Sequence, residues 1–294
     1  MRPFTRRRIV NSSIAIVAVA LIAWWVRRVE LSLGRSAFHS GWLLMAAMIV
    51  LASYSLRKRL PTLPLGRSAW WMQMHIYLGF ASIAIFLLHI QWRLPNGILE
   101  TTLACVFAAT IASGCLGLYW TRTLPQRLAR VGEEVLYEEI PRLRQLIRDH
   151  AQSTILATVR TSGQVTLGEY YDQHLSSYFA SRRSWQYRLR PTSERRKQLM
   201  ADLTEATRYL SDAERKTAEQ LFSLIRRRDD LDYHDALQWR LKGWLFVHIA
   251  LTFPLLLLAA FHGWTAHLFS GDLLLGLSRL DYPRLGHLGM GVAT

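Results

Sequence analysis

Four histidines lie at two matched spacings within uncharged stretches of this 294-residue chain. His75 and His89 bound one apolar stretch, with a separation of fourteen residues. His248 and His262 bound another apolar stretch at the same separation. On an α-helix, fourteen residues rise about 21 Å and return to within about 40° of the same face. Each stretch therefore offers one imidazole near each end of a membrane-length helix, with both imidazoles on one side of it.

Facing imidazoles on two helices can hold a haem, because neutral imidazole nitrogen is a ligand of haem iron. Successive membrane helices alternate in direction, and these two stretches are the third and fifth of five, so we predict that they run in the same direction and that His75 lies opposite His248. His89 then lies opposite His262 at the other level. Two such pairs predict two haem b groups, with these four histidines as axial ligands of the iron. An iron ligated on both sides has no open position, which favours electron transfer across a bilayer over oxygen binding.

Other interpretations of these histidines remain open. An intramembrane histidine can serve packing through a hydrogen bond, although polar side chains at this depth are more often functional. A proton or transition-metal transporter would normally add intramembrane carboxylates, and Glu100 lies only at the edge of a neighbouring apolar stretch. A non-redox membrane anchor for the polar part of the chain is a third possibility. His267 is an alternative to His262, but it falls about 100° from the His248 face of an ideal helix.

The apolar residues, 51% of the chain, are gathered in long blocks that predict transmembrane helices. The hydrocarbon core of a bilayer needs about 20 helical residues, and five blocks reach this length. They run over about 9–26, 38–56, 70–92, 98–120 and 241–269. We therefore predict an all-α integral membrane bundle of five spans. The predicted parts are an N-terminal anchor helix and loop (1–37), the first part of the haem-binding bundle (38–120), a helical cytoplasmic insertion (121–240), the last haem-binding helix (241–269) and a short outer tail (270–294).

The net charge of +15 is explained by the membrane, since Lys and Arg stand beside the apolar blocks. This placement favours a bilayer over nucleic acid as the partner. Basic residues mark the cytoplasmic side, which predicts a cytoplasmic N-terminus and an outer C-terminus in a bacterial inner membrane. Ten of eleven tryptophans fall near block ends, as interfacial tryptophans do. These are Trp24, Trp25, Trp42, Trp70, Trp71, Trp92, Trp120, Trp239, Trp244 and Trp264.

The polar insertion is predicted to hold three or four amphipathic helices and little or no strand. Capping boxes are indicated at Thr166–Glu169 and at Ser211–Glu214. A last helix from about Asp212 to Arg240 is expected to continue into the fifth span. Apolar residues recur at helical spacings, and the examples are Leu199, Leu203, Leu210, Leu221 and Ile225. The chain has no phosphate-binding loop or dinucleotide fingerprint, so no flavin or NAD site is expected.

Several other residues have two interpretations. Small residues could clear space for a macrocycle or allow close helix packing. They are Gly79, Ala81, Ser82, Ala84, Ala108, Ala109, Ala112, Ser113, Gly114 and Gly117. Cations near the membrane surface could bind propionates or only set topology; they are Arg67, Arg93, Arg122, Arg240 and Lys242. The remaining histidines are expected at the surface, namely His39, His150, His174, His234 and His287.

The paired histidines resemble the di-haem cytochrome b membrane domains, together with the stretch from Ser113 to Gly117 that ends the helix between the two pairs and with the Arg122 that follows this stretch. The resemblance is closest to the ferric-reductase-like transmembrane domain shared with NADPH oxidases, and it covers the second to fifth spans. It implies axial ligation by the four histidines and electron transfer across the membrane. Only about 25 residues follow the last span, without a flavin and nicotinamide domain. The chain is therefore expected to be an oxidoreductase component that works with a separate donor, either quinol or a redox protein, and a separate acceptor.

Overall fold

The computed structural model describes residues 3–59, 67–131 and 135–268. These residues form α-helices with short 3-10 and π-helical turns, and they contain no strand, so the predicted all-α class is confirmed. The predicted outer tail, 270–294, lies outside the described residues. The helices are α1 (Pro3–Leu31), α2 (Ser36–Arg59), α3 (Ser68–His89), α4 (Ile98–Leu128), α5 (Ile140–Ser162), α6 (Thr166–Tyr170), α7 (Ser176–Ala180), α8 (Trp185–Leu189), α9 (Glu194–Ala206) and α10 (Asp212–Leu268).

Five of these helices are long and apolar enough to cross a membrane, as predicted, and they fit an integral membrane protein. They are α1, α2, α3, α4 and α10. Helix α3 ends at His89, three residues before the predicted limit. The chain turns there, since Gln91 and Trp92 adopt left-handed backbone with φ of 51° and 59°. Helix α10 runs unbroken for 57 residues, so the last insertion helix does continue into the fifth span.

Two compact units divide the chain, and the division falls within α4 and α10. The histidine unit contains the residues up to Gly114 and those from His248 onward. The insertion unit contains residues from Cys115 to Val247. The four histidines with matched spacing all belong to the histidine unit.

The core of the histidine unit combines side chains from all five long helices. Its buried members are Leu44, Met48, Ile85, Phe107, Leu255 and Ala259, and Ile22 of α1 packs against them. The rings of Phe86 and Phe107 stack with centres 4.5 Å apart. Large apolar side chains also cover the outside of this unit; Phe253 and Leu257 are 67% and 74% exposed. Such a surface is typical of contact with lipid rather than water.

The insertion unit has a separate hydrophobic core, built from the helices between the spans and from the first part of α10. The five apolar residues singled out by helical spacing are all buried. They share this core with residues of α5, α6, α7 and the π-helical turn before α7, such as Ala151, Ile155, Leu167, Leu175 and Phe179. His234 is also buried, at 3% exposure, so its predicted surface position is wrong. Burial lowers the pKa of His234 and favours the neutral imidazole.

Charged side chains line one face of α10 inside the insertion unit. Asp232, which is 2% exposed, accepts hydrogen bonds from Arg144 at 2.6 Å, from Arg183 at 3.1 Å and from the buried Arg228. Asp229 and Asp235 extend the network to Arg196 and Arg188. Burial raises the pKa of Asp229. The arginines therefore offset the desolvation of these carboxylates, and each buried charge depends on its partners.

Glu214 caps two helices of the insertion unit at once. The Ser211 amide donates to Glu214 Oε2 at 3.1 Å, and the Glu214 amide donates to Ser211 Oγ at 3.4 Å, so this predicted capping box is present. The box predicted at Thr166 is wrong, because Thr166 is already helical and no side chain of its own turn caps α6. The Leu167 amide instead donates to Glu214 Oε1 at 3.0 Å. A carboxylate distant in sequence has replaced the local one.

Replacing Glu214 by alanine should open the start of α6 as well as the start of α10. Hydrogen bonds to a charged group contribute about 1.5–3 kcal/mol each, so local opening should become at least tenfold easier. Hydrogen–deuterium exchange of peptides covering residues 166–180 would measure this change. Glu169→Ala is the matched control, because Glu169 is exposed and belongs to the box that does not form. Equal exchange in the two variants would contradict the double capping role.

Candidate functional site

The four matched histidines form two facing pairs in the histidine unit. The ring centre of His75 lies 6.3 Å from that of His248, and the ring planes cross at 76°. The ring centre of His89 lies 6.2 Å from that of His262, and those planes cross at 82°. These are the partners that parallel helices were expected to bring together. Helices α3 and α10 therefore present two similar imidazole pairs at two levels.

The ring separations suit a metal ion bound between two imidazoles. A metal–imidazole bond is about 2.0–2.1 Å, and a ring centre lies about 1 Å beyond its nitrogen, so two axial imidazoles have centres about 6 Å apart. Both pairs meet this distance. A haem iron takes its other ligands from the macrocycle and needs only two from the protein. The residue types and ring separations are therefore compatible with bis-histidine haem ligation at both levels.

Helix α2 orients one imidazole of each pair through its backbone. His75 Nδ1 lies 3.1 Å from the Leu51 carbonyl oxygen, and His89 Nδ1 lies 2.9 Å from the Ala37 carbonyl oxygen. A carbonyl can only accept, so each Nδ1 carries the proton and donates it. Nε2 is then the unprotonated ring nitrogen, which is the form that ligates a metal. Leu51 and Ala37 are also fourteen residues apart, so α2, running antiparallel to α3, repeats the spacing of the histidines.

Two glycines bring backbone close to the imidazoles. A methyl group added at Gly41 of α2 would lie only 2.8 Å from Cε1 of His89, which is closer than a packed interior allows. A methyl group at Gly114 of α4 would lie 3.6 Å from Cε1 of His248, an ordinary contact. Gly114 is one of the small residues singled out in the sequence, whereas Gly41 is not. Gly41 falls one turn after Ala37, so the same turn of α2 accepts the hydrogen bond from His89 and leaves room for the ring.

A cavity adjoins the His89–His262 pair. Its volume is about 80 Å³, and its walls include Gly41, Met45, Phe86 and Gly263. Typical ligand pockets measure about 300–1,000 Å³. A macrocycle between the rings would therefore require wall side chains to turn aside, or its edge would lie in the gap between helices. The lining is largely apolar, as a macrocycle prefers.

Polar and aromatic side chains surround the His75 end of α3. The Tyr54 ring centre lies 5.3 Å from that of His75, at a tilt of 39°. Asn11 of α1 donates a hydrogen bond to the side chain of Gln73 at 3.0 Å. Such a pair joins two membrane helices and satisfies amides that lipid cannot. Helical spacing and charge did not identify these residues, although an Asn within an apolar block is a signal that could have identified one of them.

The structure separates the other candidates from the histidine pairs. His267 stacks on Phe38, with ring centres 6.3 Å apart at 25°, so His262 and not His267 faces His89. A methyl group at Gly117 would overlap the Trp244 ring, which favours helix packing as the role of this glycine.

Five cations were considered as partners of haem propionates, and two of them, Arg240 and Lys242, have other contacts. Arg240 donates to the carbonyl oxygens of Arg188 and Leu189. Lys242 forms an ion pair with Glu138 at 2.7 Å. Arg67, Arg93 and Arg122 are exposed. None of these arrangements identifies a propionate partner among the described residues.

No protein-family model, no curated protein and no solved structure matches this chain. Within the described ranges, no group of three or more His, Cys, Asp or Glu side chains is gathered as a metal site. The two histidine pairs are thus the arrangement on which a functional proposal can rest.

Proposed function

We propose that this chain is a membrane electron-transfer protein that holds two haem b groups, one between His75 and His248 and one between His89 and His262. The observation that carries the proposal is the ring-centre separation of both pairs, 6.3 Å and 6.2 Å, which matches two axial bonds to one iron. When bound, the haem groups supply one-electron transfer between the two levels of the membrane.

The protein contributes fixed ligand geometry. The carbonyl groups of Leu51 and Ala37 hold the Nδ1–H groups of His75 and His89, which fixes the tautomer and raises the basicity of Nε2. Because helices fix these carbonyls, the rings need little reorientation between redox states. Histidine on both sides leaves no open position, which favours electron transfer to an external partner over binding of a substrate.

Apolar side chains pack together between the two levels. Fourteen helical residues separate the levels by about 21 Å along α3 and along α10. Ile85 and Leu255 are buried in this interval, together with the stacked rings of Phe86 and Phe107. A packed apolar interval of this kind leaves little room for water between the two proposed haem groups.

The proposed setting follows from charge distribution and from the family resemblance. Basic residues on one side of the spans support a cytoplasmic N-terminus, an outer C-terminus and a bacterial inner membrane. His75–His248 is then the inner pair and His89–His262 the outer pair. As in the ferric-reductase-like domains that the chain resembles, electrons cross between them. The donor is quinol or a separate redox protein, and the acceptor is a separate molecule.

A reduced-minus-oxidised visible spectrum of the purified protein, with haem extracted and counted per chain, tests the proposal. Two b-type haems per chain, low-spin in both oxidation states, are expected. A single haem would show that one histidine pair has been assigned wrongly. Absence of haem in protein from cells well supplied with it would contradict the proposed function.

Gly41→Ala should weaken haem binding at the outer pair alone. The added methyl group displaces the His89 ring, and overpacking of this kind costs about 1–3 kcal/mol, so affinity should fall about 5- to 150-fold. Haem transfer to excess apomyoglobin would measure the loss, with the inner pair as the internal reference. Gly243→Ala is the matched control, since a methyl group there meets nothing within 4 Å. Equal haem retention in both variants would show that the Gly41 contact is unimportant.

A further inference from the structure

Helix α8 of the insertion unit exposes two large apolar side chains on one face. Trp185 is 67% exposed and Leu189 is 51% exposed. They are four residues apart, so they are neighbours on the helix surface. Trp185 is also the one tryptophan that does not fall near a predicted span in the sequence. An exposed tryptophan beside an exposed leucine is unusual on a water-facing surface and is typical of a contact site.

The position of α8 is fixed by the segment that enters the last span. Arg240 Nε donates to the Arg188 carbonyl at 2.9 Å, and Arg240 also donates to the Leu189 carbonyl. The Arg188 guanidinium lies over the Trp239 ring, 5.8 Å from its centre. These contacts satisfy carbonyls at the end of α8 that have no helical partner. Trp239 and Arg240 directly precede the predicted span, so α8 contacts the part of α10 that adjoins this span in the sequence.

Exposed cations precede and follow α8 in the sequence. Arg182 lies three residues before the helix begins, and Arg190 directly follows its last residue. Arg127, also exposed, is close enough to Arg240 for the two charges to repel. Each Lys or Arg near an anionic membrane surface contributes about 1 kcal/mol of attraction. The surroundings of α8 therefore complement a negatively charged surface.

We propose that α8 lies on the bilayer, with Trp185 and Leu189 inserted at the boundary between headgroups and acyl chains. Arg182 and Arg190 then contact the headgroups of anionic phospholipids. Tryptophan, apolar side chains and flanking cations are the features of interfacial helices. Arg240 holds the end of α8 and directly precedes the predicted span. For this reason we propose the bilayer, rather than a soluble protein, as the surface that α8 contacts. This inference depends on α10 crossing the membrane and does not depend on haem.

Photocrosslinking in the full-length protein tests the inference. Trp185→p-benzoylphenylalanine keeps an aromatic side chain at this position and makes it reactive toward neighbouring C–H bonds. The protein is placed in vesicles of phosphatidylcholine and phosphatidylglycerol, and phospholipid adducts are measured by mass spectrometry. Tyr209→p-benzoylphenylalanine is the matched control, because Tyr209 is 79% exposed. Tyr209 lies three residues before α10 begins, and the start of α10 lies about 42 Å along the helix from Arg240.

Phospholipid adducts at position 185 and few at position 209 are the expected result. Equally few adducts at both positions would overturn the inference, as would crosslinking of position 185 to another protein instead of lipid. In a second step, Arg182→Gln with Arg190→Gln should lower the adduct yield at 185 in the mixed vesicles. The fall should reach about fivefold for each cation removed, and it should be much smaller in phosphatidylcholine alone. An unchanged yield in the mixed vesicles would overturn the headgroup contact.

Discussion

Replacing His89 by alanine is expected to remove the outer haem and leave the inner one, so haem content should fall from two groups per chain to one. The variant loses one axial bond and the ring that the Ala37 carbonyl holds. His262 alone would leave the iron with an open position. Haem extraction measures the content, and a redox titration followed in the visible spectrum should lose one of two midpoint potentials.

The two histidine pairs also predict which variants should lose the same midpoint potential. His262→Ala should abolish the same midpoint potential as His89→Ala, whereas His75→Ala and His248→Ala should both abolish the other. His267→Ala is the matched control, because His267 lies on the same helix as His262 but stacks on Phe38. It should keep both haems. If the single variants His89→Ala and His248→Ala abolished the same midpoint potential, the ligands would be paired differently.

Replacing Asp232 by alanine should strongly destabilise the insertion unit. Asp232 accepts hydrogen bonds from Arg144, Arg183 and Arg228, and Arg228 is 1% exposed. Removing the carboxylate leaves the buried Arg228 guanidinium without its carboxylate partner, which costs about 3–5 kcal/mol, whereas Arg144 and Arg183 keep Asp235 and Asp229. Thermal unfolding followed by helical circular dichroism, in the solubilised full-length protein, would show a transition at lower temperature.

An exposed ion pair provides the comparison for Asp232. Asp212 lies 3.8 Å from Arg215, and its side chain is almost fully exposed. Exposed pairs contribute little to stability, so Asp212→Ala should leave the transition unchanged. Asp232→Asn should fall between wild type and Asp232→Ala, since the amide oxygen can still accept one of the hydrogen bonds. Similar transitions for Asp212→Ala and Asp232→Ala would show that the buried network contributes no net stability.

The spans and the pairing of the histidines could be predicted because they depend on side-chain type and helical period. Apolar blocks of membrane length define α1 to α4 and the last part of α10, and a separation of fourteen residues puts His75 and His89 on one face. The pairing with His248 and His262 also required parallel helices, which alternation of five spans supplied. The structure places the rings of each pair about 6 Å apart, as parallel helices require.

Backbone contributions to the site could not be predicted in this way. The carbonyl groups of Ala37 and Leu51 belong to residues with unremarkable side chains, and only the packing of α2 on α3 brings them to the histidines. Gly41 could not be predicted either, because its role is to leave space for the His89 ring, and this depends on how the helices pack. Glu214 was expected to cap its own helix, but its second role at Leu167 depends on tertiary packing.

Helix α3 illustrates the limit at helix ends. Hydropathy extended this span to Trp92, because apolar and aromatic residues continue beyond His89. The structure ends the helix at His89 and turns the backbone into the left-handed region at Gln91 and Trp92. Hydropathy measures affinity for lipid and does not report backbone conformation, so an interfacial tryptophan can lie outside the helix that it follows.

The imidazole planes cross at 76° in one pair and at 82° in the other. If each pair holds a haem as proposed, each imidazole would donate π-electron density into one of the two iron d orbitals that contain the axial direction, and crossed planes would raise both orbitals by similar amounts. A low-spin ferric ion with these two orbitals nearly degenerate is strongly anisotropic in a magnetic field. Electron paramagnetic resonance at liquid-helium temperature should therefore give each site one dominant line at high g value, instead of the well-resolved rhombic signal of parallel planes.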